Sequence, residues 1–160
     1  MPTRFAHTNL IAHDAQRLVR FYCDVFGCSV VPPERDLRGP WLEAATGVER
    51  AHLRGAHLRL PGHGERGPTL EIFTYDETLA QPTPVANRAG FGHIAFEVDD
   101  VGRQLDALVR AGGSRLGEIV SIDVKGAGTV RFTYARDPEG NILELQSWSP
   151  RVPSVPEDVP

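Results

Sequence analysis

Two histidines and two glutamates recur at matching places along the chain and could together hold a metal ion. His7 and His93 each end a Phe-x-His motif, and Glu71 and Glu144 each lie within a Gly-x-x-Leu-Glu-aliphatic motif. Two imidazoles and two carboxylates form a mixed nitrogen and oxygen shell, which suits six-coordinate divalent metals once water fills the remaining positions. The pattern therefore predicts one metal site with two ligands from each half of the chain.

Each of these residues also has a purely structural interpretation. A single histidine in a strand more often makes structural hydrogen bonds, and a glutamate in an edge strand can serve to prevent aggregation. The recurrence of the same pair in both halves favours the metal site. The remaining histidines have no such counterpart and are interpreted as surface or loop residues; they are His13, His52, His57 and His63.

The elements that must position the four residues also repeat. Each half begins with a strand and continues into an amphipathic helix. The first helix should follow an acidic turn at residues 13–14, which ends in Asp14, and should end near Gly27. It carries Leu18, Tyr22, Val25 and Phe26 at helical spacing. The second should begin after Asp99 and Asp100, carry Val101, Leu105, Leu108 and Val109, and end at residues 112–113. Acidic residues before a helix and glycines after it are typical capping residues.

Residues 52–60 and 129–135 alternate in polarity as half-buried strands do, and residues 62–68 and 137–141 are rich in turn formers. The pattern of elements in each half therefore predicts a βαβββ module, and the two modules together form one α+β domain. We expect module one at residues 4–80, a linker at 81–89 and module two at 90–148. Residues 149–160 contain four prolines, and this composition predicts a disordered tail.

Strand alternation predicts the face on which each candidate ligand lies. Neighbouring side chains in a strand point to opposite sides, so Glu71 is opposed to Leu70 and Ile72. Glu144 is likewise opposed to its leucine neighbours, and His93 to Ile94 and Phe96. The four polar side chains could then face one shared concavity. A carboxylate within an aliphatic strand is costly to bury unless a positive charge compensates it, and a cation does so.

Composition restricts the kind of partner. The net charge is −4 and the pI about 5.8, with no basic cluster, so neither nucleic acid nor an anionic membrane is indicated. No stretch approaches the roughly 20 apolar residues of a membrane span. A small-molecule partner and a cytoplasmic location are expected. Cys23 and Cys28 match no redox or zinc motif and are interpreted as free thiols. Residues 30–54, which include Trp41 and several arginines, are expected to be irregular. A solvated loop is the favoured interpretation, and a segment that covers the cleft or binds a phosphate or carboxylate is the alternative.

These motifs resemble those of the vicinal oxygen chelate superfamily, which includes glyoxalase I, methylmalonyl-CoA epimerase, extradiol dioxygenases and bleomycin or fosfomycin resistance proteins. The resemblance extends from Phe5 to Trp148 and is carried by His7, residues 21–27, residues 92–96 and residues 137–145. It implies two tandem βαβββ modules that form a curved, partly open β-barrel cleft with helices outside. It also implies a homodimer, with the ligands converging within one chain or exchanged between two.

The ligand order His, Glu, His, Glu is most similar to glyoxalase I of the bacterial type. That resemblance implies nickel or cobalt, with zinc, manganese or iron as further choices. The implied activity is that of a lyase or isomerase, in which Glu144 or Glu71 removes a proton next to a carbonyl and the metal stabilises the enediolate or enolate. A thiol adduct or an acyl thioester would be the substrate. The alternatives are a methylmalonyl-CoA epimerase-like isomerase, an extradiol-type dioxygenase, and a non-catalytic protein that binds an antibiotic.

Overall fold

The computed structural model of the protein describes residues 3–149 and contains two βαβββ modules in tandem. Module one consists of β1 (His7–Ile11), α1 (Ala15–Phe26), β2 (Ser29–Arg38), α2 (Pro40–Thr46), β3 (His52–Arg59) and β4 (Thr69–Tyr75). Module two consists of β5 (Ile94–Glu97), α3 (Val101–Arg110), β6 (Ser114–Arg115), β7 (Val120–Val124), β8 (Gly128–Arg136) and β9 (Ile142–Ser149). The predicted duplication is present, with an additional helix in module one and an additional strand in module two.

The strands form two separate sheets, one for each module. The first has the order β1-β4-β3-β2, and the second has the order β5-β9-β8-β6, with β7 also paired to β8. In each sheet the first strand of the module runs parallel to the last, and the other pairs are antiparallel. Within residues 3–149 no strand pairing joins the two sheets. The α+β class and the partly open arrangement are therefore confirmed.

The helix ends agree with the capping residues in the sequence. The Asp14 side chain accepts a hydrogen bond from the backbone N–H of Arg17 at 2.9 Å, and Asp100 accepts one from Arg103 at 3.0 Å. Gly27 ends α1 with a φ of 70°, a left-handed conformation that glycine adopts without steric cost. These caps fix the helix starts that follow β1 and β5.

The two modules share one hydrophobic core, which lies on the helix side of both sheets. Leu18 and Tyr22 of α1 and Leu105 of α3 are fully buried in it. Phe26, the last residue of α1, stacks on Phe96 of β5 with the ring centroids 4.0 Å apart. Burial of each large apolar side chain contributes about 1.5–3 kcal/mol, so this common core holds the modules together.

The aliphatic residues that flank the two glutamates point into this core, as the alternation predicts. Leu70 and Ile72 of β4 are at most 1% exposed, and Leu143 and Leu145 of β9 are fully buried. Glu71 and Glu144 therefore lie on the opposite face of each sheet, away from the helices.

A polar joint connects the turn before β9 to the start and middle of α1. The Glu139 carboxylate accepts hydrogen bonds from the backbone N–H groups of His13 at 3.1 Å and Asp14 at 3.0 Å. The Tyr22 hydroxyl donates to the buried Asp137 carboxylate at 3.0 Å. Asp137 also accepts from the Asn141 side chain at 2.8 Å. The turn predicted at residues 137–141 thus also links module two to module one.

One predicted loop is wrong. Residues 30–54 are largely ordered as β2, α2 and the start of β3. Most side chains of β2 are exposed, and the strand contains two prolines and four charged residues, so its composition resembled that of a loop. Between Gly39 and Gly47, Pro40 begins a short helix whose one buried side chain is Leu42.

The remaining expectations concern the linker, the cysteines, the C-terminal tail and membrane spans. The predicted linker falls within residues 76–93, which contain no helix or strand. Cys23 and Cys28 are free thiols, as expected. Ser149 is the last residue of β9, and residues 150–160 of the predicted tail lie outside the described residues. None of the described helices is long and apolar enough to cross a membrane.

A cluster of ionisable residues joins β2, β3 and the end of β4. Nε2 of His52 lies 2.6 Å from Asp36 Oδ1, and Nδ1 of the same ring lies 2.9 Å from Asp76 Oδ2. Arg54 donates to the other oxygen of Asp76 at 2.6 Å. Hydrogen bonds to Asp36 and then Asp76 raise the pKa of His52, because both ring nitrogens can donate only in the charged imidazolium.

The joint between Tyr22 and Asp137 should contribute measurably to stability. We expect Tyr22→Phe to lower the free energy of unfolding by about 1.5–3 kcal/mol, because a buried hydrogen bond to a charged group is lost. Urea unfolding measures the change. Tyr75→Phe removes a hydroxyl from a half-buried ring outside this joint and should cost less than about 0.5 kcal/mol. Equal effects in the two variants would contradict the role of the joint.

The His52 cluster should make stability depend on pH. The folded-state pKa of His52 is raised, so its contribution is fully present below the unfolded pKa of about 6.5 and is lost as the pH rises through the folded value. We expect the stability difference between the parent and His52→Gln to be larger at about pH 5.5 than at about pH 8.5. Denaturant unfolding at both pH values measures it, and a difference that grows with pH would contradict this assignment.

Candidate functional site

The same strand register brings a histidine and a glutamate together in each module. In the parallel pair β1 and β4, Asn9 is the partner of Glu71, and His7 lies two residues before it. In the parallel pair β5 and β9, Ala95 is the partner of Glu144, and His93 lies two residues before it. Residues two apart share a face of a strand, so each histidine lies on the same side as its glutamate.

In module one, both oxygens of Glu71 face nitrogen atoms. Nε2 of His7 lies 3.4 Å from Oε2, and the Asn9 side-chain amide donates to the same oxygen at 3.4 Å. Nε2 of His57 lies 3.1 Å from Oε1. The Glu71 side chain is 12% exposed, whereas the His7 side chain is 47% exposed. The carboxylate is therefore largely desolvated and the His7 ring is open to solvent.

In module two, Nε2 of His93 lies 2.9 Å from Oε2 of Glu144. Tyr134 of β8 is the antiparallel partner of Glu144, and its ring centroid is 5.1 Å from that of His93. Burial, followed by the charge of Glu144, raises the pKa of Tyr134. The phenol therefore stays protonated at neutral pH and can act as a hydrogen-bond donor.

The donor chemistry of both pairs fits a divalent cation. Metal–nitrogen and metal–oxygen bonds of about 2.1 Å at right angles place the two ligand atoms about 3 Å apart. The observed nitrogen–oxygen separations of 3.4 Å and 2.9 Å are close to that spacing. A largely buried carboxylate such as Glu71 also requires a compensating charge. Each pair can therefore act as half of a mixed histidine and glutamate site.

The structure does not gather the four residues into one group. Across residues 3–149, no group of three or more His, Cys, Asp or Glu side chains is arranged to hold a metal ion. The cause lies in the shared core, because the modules pack through their helix sides and both glutamates lie on the opposite faces. The four residues lie instead in two separate pairs, His7 with Glu71 and His93 with Glu144, and each pair is termed a half-site.

Two histidines that the sequence analysis interpreted as surface or loop residues have defined positions in β3. His57 is the antiparallel partner of Glu71, and His52 belongs to the ionic cluster of β2 and β4. The repeat offered no signal for His57, because the matching position in module two is Tyr134. The alternation of β3 could have placed His57 opposite the buried Leu58, on the glutamate side.

Burial lowers the pKa of His57. The charge of Glu71 opposes this shift, while Arg35 and His7 lower the pKa further. The ring is therefore neutral at neutral pH, with one nitrogen able to donate and the other able to accept.

Comparison with known proteins agrees with the fold. The chain is 29% identical over 142 residues to a probable lactoylglutathione lyase from Vibrio parahaemolyticus, covering 89% of this chain and 88% of that protein. A glyoxalase family protein from Bacillus cereus superposes with a TM-score of 0.77 at 18% identity, covering 92% of this chain and 95% of that one.

The fosfomycin resistance protein FosX from Listeria monocytogenes, solved with Mn(II) and sulfate, has the same fold. It superposes with a TM-score of 0.56 at 14% identity, covering 93% of this chain and 95% of that one. The family model described as the glyoxalase, bleomycin resistance protein and dioxygenase superfamily matches residues 4–145. The chain belongs to this superfamily.

Proposed function

We propose that the protein is a metal-dependent lyase or isomerase of the glyoxalase I type, which removes a proton next to a carbonyl group. The observation that carries the proposal is the repeated half-site, in which an imidazole nitrogen and a carboxylate oxygen lie 3.4 Å apart in module one and 2.9 Å apart in module two. The relative from Vibrio parahaemolyticus, named a probable lactoylglutathione lyase, supports the same class of reaction.

His7, Glu71, His93 and Glu144 would hold one divalent ion. When bound, the ion would act as a Lewis acid on the carbonyl oxygen of the substrate and stabilise the negative charge that develops there. Nickel or cobalt is proposed by resemblance to glyoxalase I, with zinc, manganese or iron as alternatives. The substrate is proposed to be a thiol adduct or an acyl thioester, and the location to be cytoplasmic.

Glu144 is proposed as the principal base and Glu71 as the more tightly held ligand. Glu71 has Asn9, His7 and His57 around its two oxygens, and it is almost fully buried. The position that corresponds to Asn9 in module two is Ala95, which offers no side-chain donor to Glu144. A carboxylate with fewer partners can move more easily towards a substrate proton and accept it.

A second copy of the chain is proposed to complete the site, with module one of one protomer facing module two of its partner. The half-sites lie on faces turned away from the shared core. Large apolar side chains beside them are also exposed: Phe5 is 65% exposed two residues before His7, and Phe91 is 73% exposed two residues before His93. Exposed apolar groups next to a polar half-site are typical of a surface that another chain covers.

Metal content tests the ligand set directly. We expect about one nickel or cobalt ion per chain. Glu144→Gln should weaken metal binding by more than the roughly 10–100-fold that loss of an outer-shell partner costs. Elemental analysis and calorimetric titration measure both, and metal-dependent exchange of the substrate proton in deuterated water should be lost with the metal. Glu97→Gln, an exposed glutamate in the same sheet, is the matched control.

A protein that binds no divalent ion would contradict the proposal and favour a binding protein without chemistry. Iron that is retained in Glu71→Gln would instead favour dioxygenation.

Mixing two variants tests whether the site is shared between chains. Glu71→Gln and Glu144→Gln should each bind metal weakly alone. If module one pairs with the partner's module two, a mixed dimer contains one site with both substitutions and one intact site. We expect unfolding and refolding the two chains together to restore about a quarter of the parental tight sites, because half of randomly paired dimers are mixed. If a verified mixed dimer recovers no tight metal binding, all four ligands of each site come from a single chain.

A further inference from the structure

His57 is not one of the proposed metal ligands, yet its side chain approaches Glu71 from the neighbouring strand. His57 and Glu71 are direct partners in the antiparallel pair of β3 and β4. Nε2 of His57 lies 3.1 Å from Oε1 of Glu71, within the usual distance of an N–H···O hydrogen bond. The His57 side chain is 23% exposed, so this contact is partly shielded from solvent.

The two oxygens of Glu71 are engaged on different sides. His57 faces Oε1, whereas His7 and Asn9 face Oε2. The ring centroids of His7 and His57 are 6.4 Å apart. If a metal ion were coordinated by Oε2 of Glu71 and Nε2 of His7, His57 would lie on the other side of the carboxylate, next to Oε1. His57 is placed to act on the ligand, not to replace it.

The backbone of β3 approaches β4 closely at this level. A Cβ at Gly55, two residues before His57, would lie 1.9 Å from the carbonyl oxygen of Ile72. The φ of Gly55 is 156°, which a residue with a side chain rarely adopts. On the other side, the His57 ring packs edge-on against Phe73 with the centroids 5.7 Å apart. Gly55 thus permits the close approach of β3 to β4, and Phe73 packs against the His57 ring.

Module two repeats this arrangement with a different residue. Tyr134 stands in the same register opposite Glu144 as His57 does opposite Glu71. Each glutamate thus has a ring with a polar hydrogen on the adjacent antiparallel strand. The strand position opposite the glutamate therefore carries a polar aromatic side chain in both modules, histidine in module one and tyrosine in module two.

We propose that His57 is a positioning residue, which donates a hydrogen bond from Nε2 to Oε1 of Glu71 and thereby holds Oε2 towards His7 and the metal ion. This inference rests on the proposed function for its metal. The carboxylate can only accept, so Nε2 of His57 must carry the proton that this hydrogen bond requires. Outer-shell donors that fix a ligating carboxylate typically change metal affinity by about 10–100-fold.

The first measurement uses the metal-free protein and does not depend on the proposed function. Long-range nitrogen–proton NMR correlations should show the Nε2–H tautomer of His57. Glu71→Leu should remove the downfield shift of that proton. An Nδ1–H tautomer in the parent, or no change in Glu71→Leu, overturns the proposal.

The second measurement is a calorimetric titration with nickel. We expect His57→Leu to weaken nickel binding by about 10–100-fold and His57→Gln, whose amide can still donate, to recover most of the loss. His63→Leu, at an exposed histidine in the loop before β4, should bind as the parent does. Parental affinity in His57→Leu, or equal loss in the Gln and Leu variants, overturns the proposal. Thermal unfolding of each metal-free variant verifies that it is folded.

X-ray absorption of the nickel-loaded protein separates positioning from ligation. The number of imidazole ligands should be the same in the parent and in His57→Leu. Loss of one imidazole in His57→Leu identifies His57 as a ligand and overturns its positioning role. A parent that binds none of the proposed divalent ions contradicts the proposed function, whereas the NMR result on the metal-free protein still decides whether His57 holds Glu71.

Discussion

The parallel pairing of the first and last strands of each module is the constraint on which the site depends. In β1 and β4 the register pairs Asn9 with Glu71, and in β5 and β9 it pairs Ala95 with Glu144. A shift of one residue would turn each glutamate into the core and each buried leucine outwards. The large apolar residues on the core side oppose such a shift, so burial of Leu70 and Ile72 also secures the position of Glu71.

The second constraint is the direction in which the modules pack. Helices α1 and α3 pack into one core. The turn that contains Asp137 and Glu139 is hydrogen-bonded to Tyr22 of α1 and to the backbone of residues 13–14. This packing buries the helix side of both sheets and leaves the glutamate sides outwards. The two pairs of histidine and glutamate therefore lie apart within residues 3–149, and each faces away from the shared core.

Much of this organisation can be predicted from the sequence, because repeated patterns report on local structure. The helix starts at Asp14 and Asp100 follow from capping chemistry, and the facing of Glu71 follows from alternation between Leu70 and Ile72. What could not be predicted depends on tertiary contacts. The charged β2 resembled a loop until its pairing with β3 was seen.

Two further features required the three-dimensional arrangement. His57 had no histidine counterpart to mark it, so its contact with Glu71 appears only when β3 and β4 are paired. The separation of the half-sites depends on how the modules pack, and the motifs in each half are compatible with either arrangement. The choice of metal, of base and of substrate stays a prediction.

The unequal surroundings of the two glutamates have a stereochemical consequence. The modules repeat the same backbone, but Asn9 and His57 surround Glu71 where Ala95 and Tyr134 adjoin Glu144. In the proposed site, a planar enolate between the two carboxylates would present one face to each of them. Under the proposed function, in which Glu144 moves more freely than Glu71, the two faces would not be equivalent. A duplicated and nearly symmetric fold could in this way deliver a proton to one side of a carbon and produce a single enantiomer.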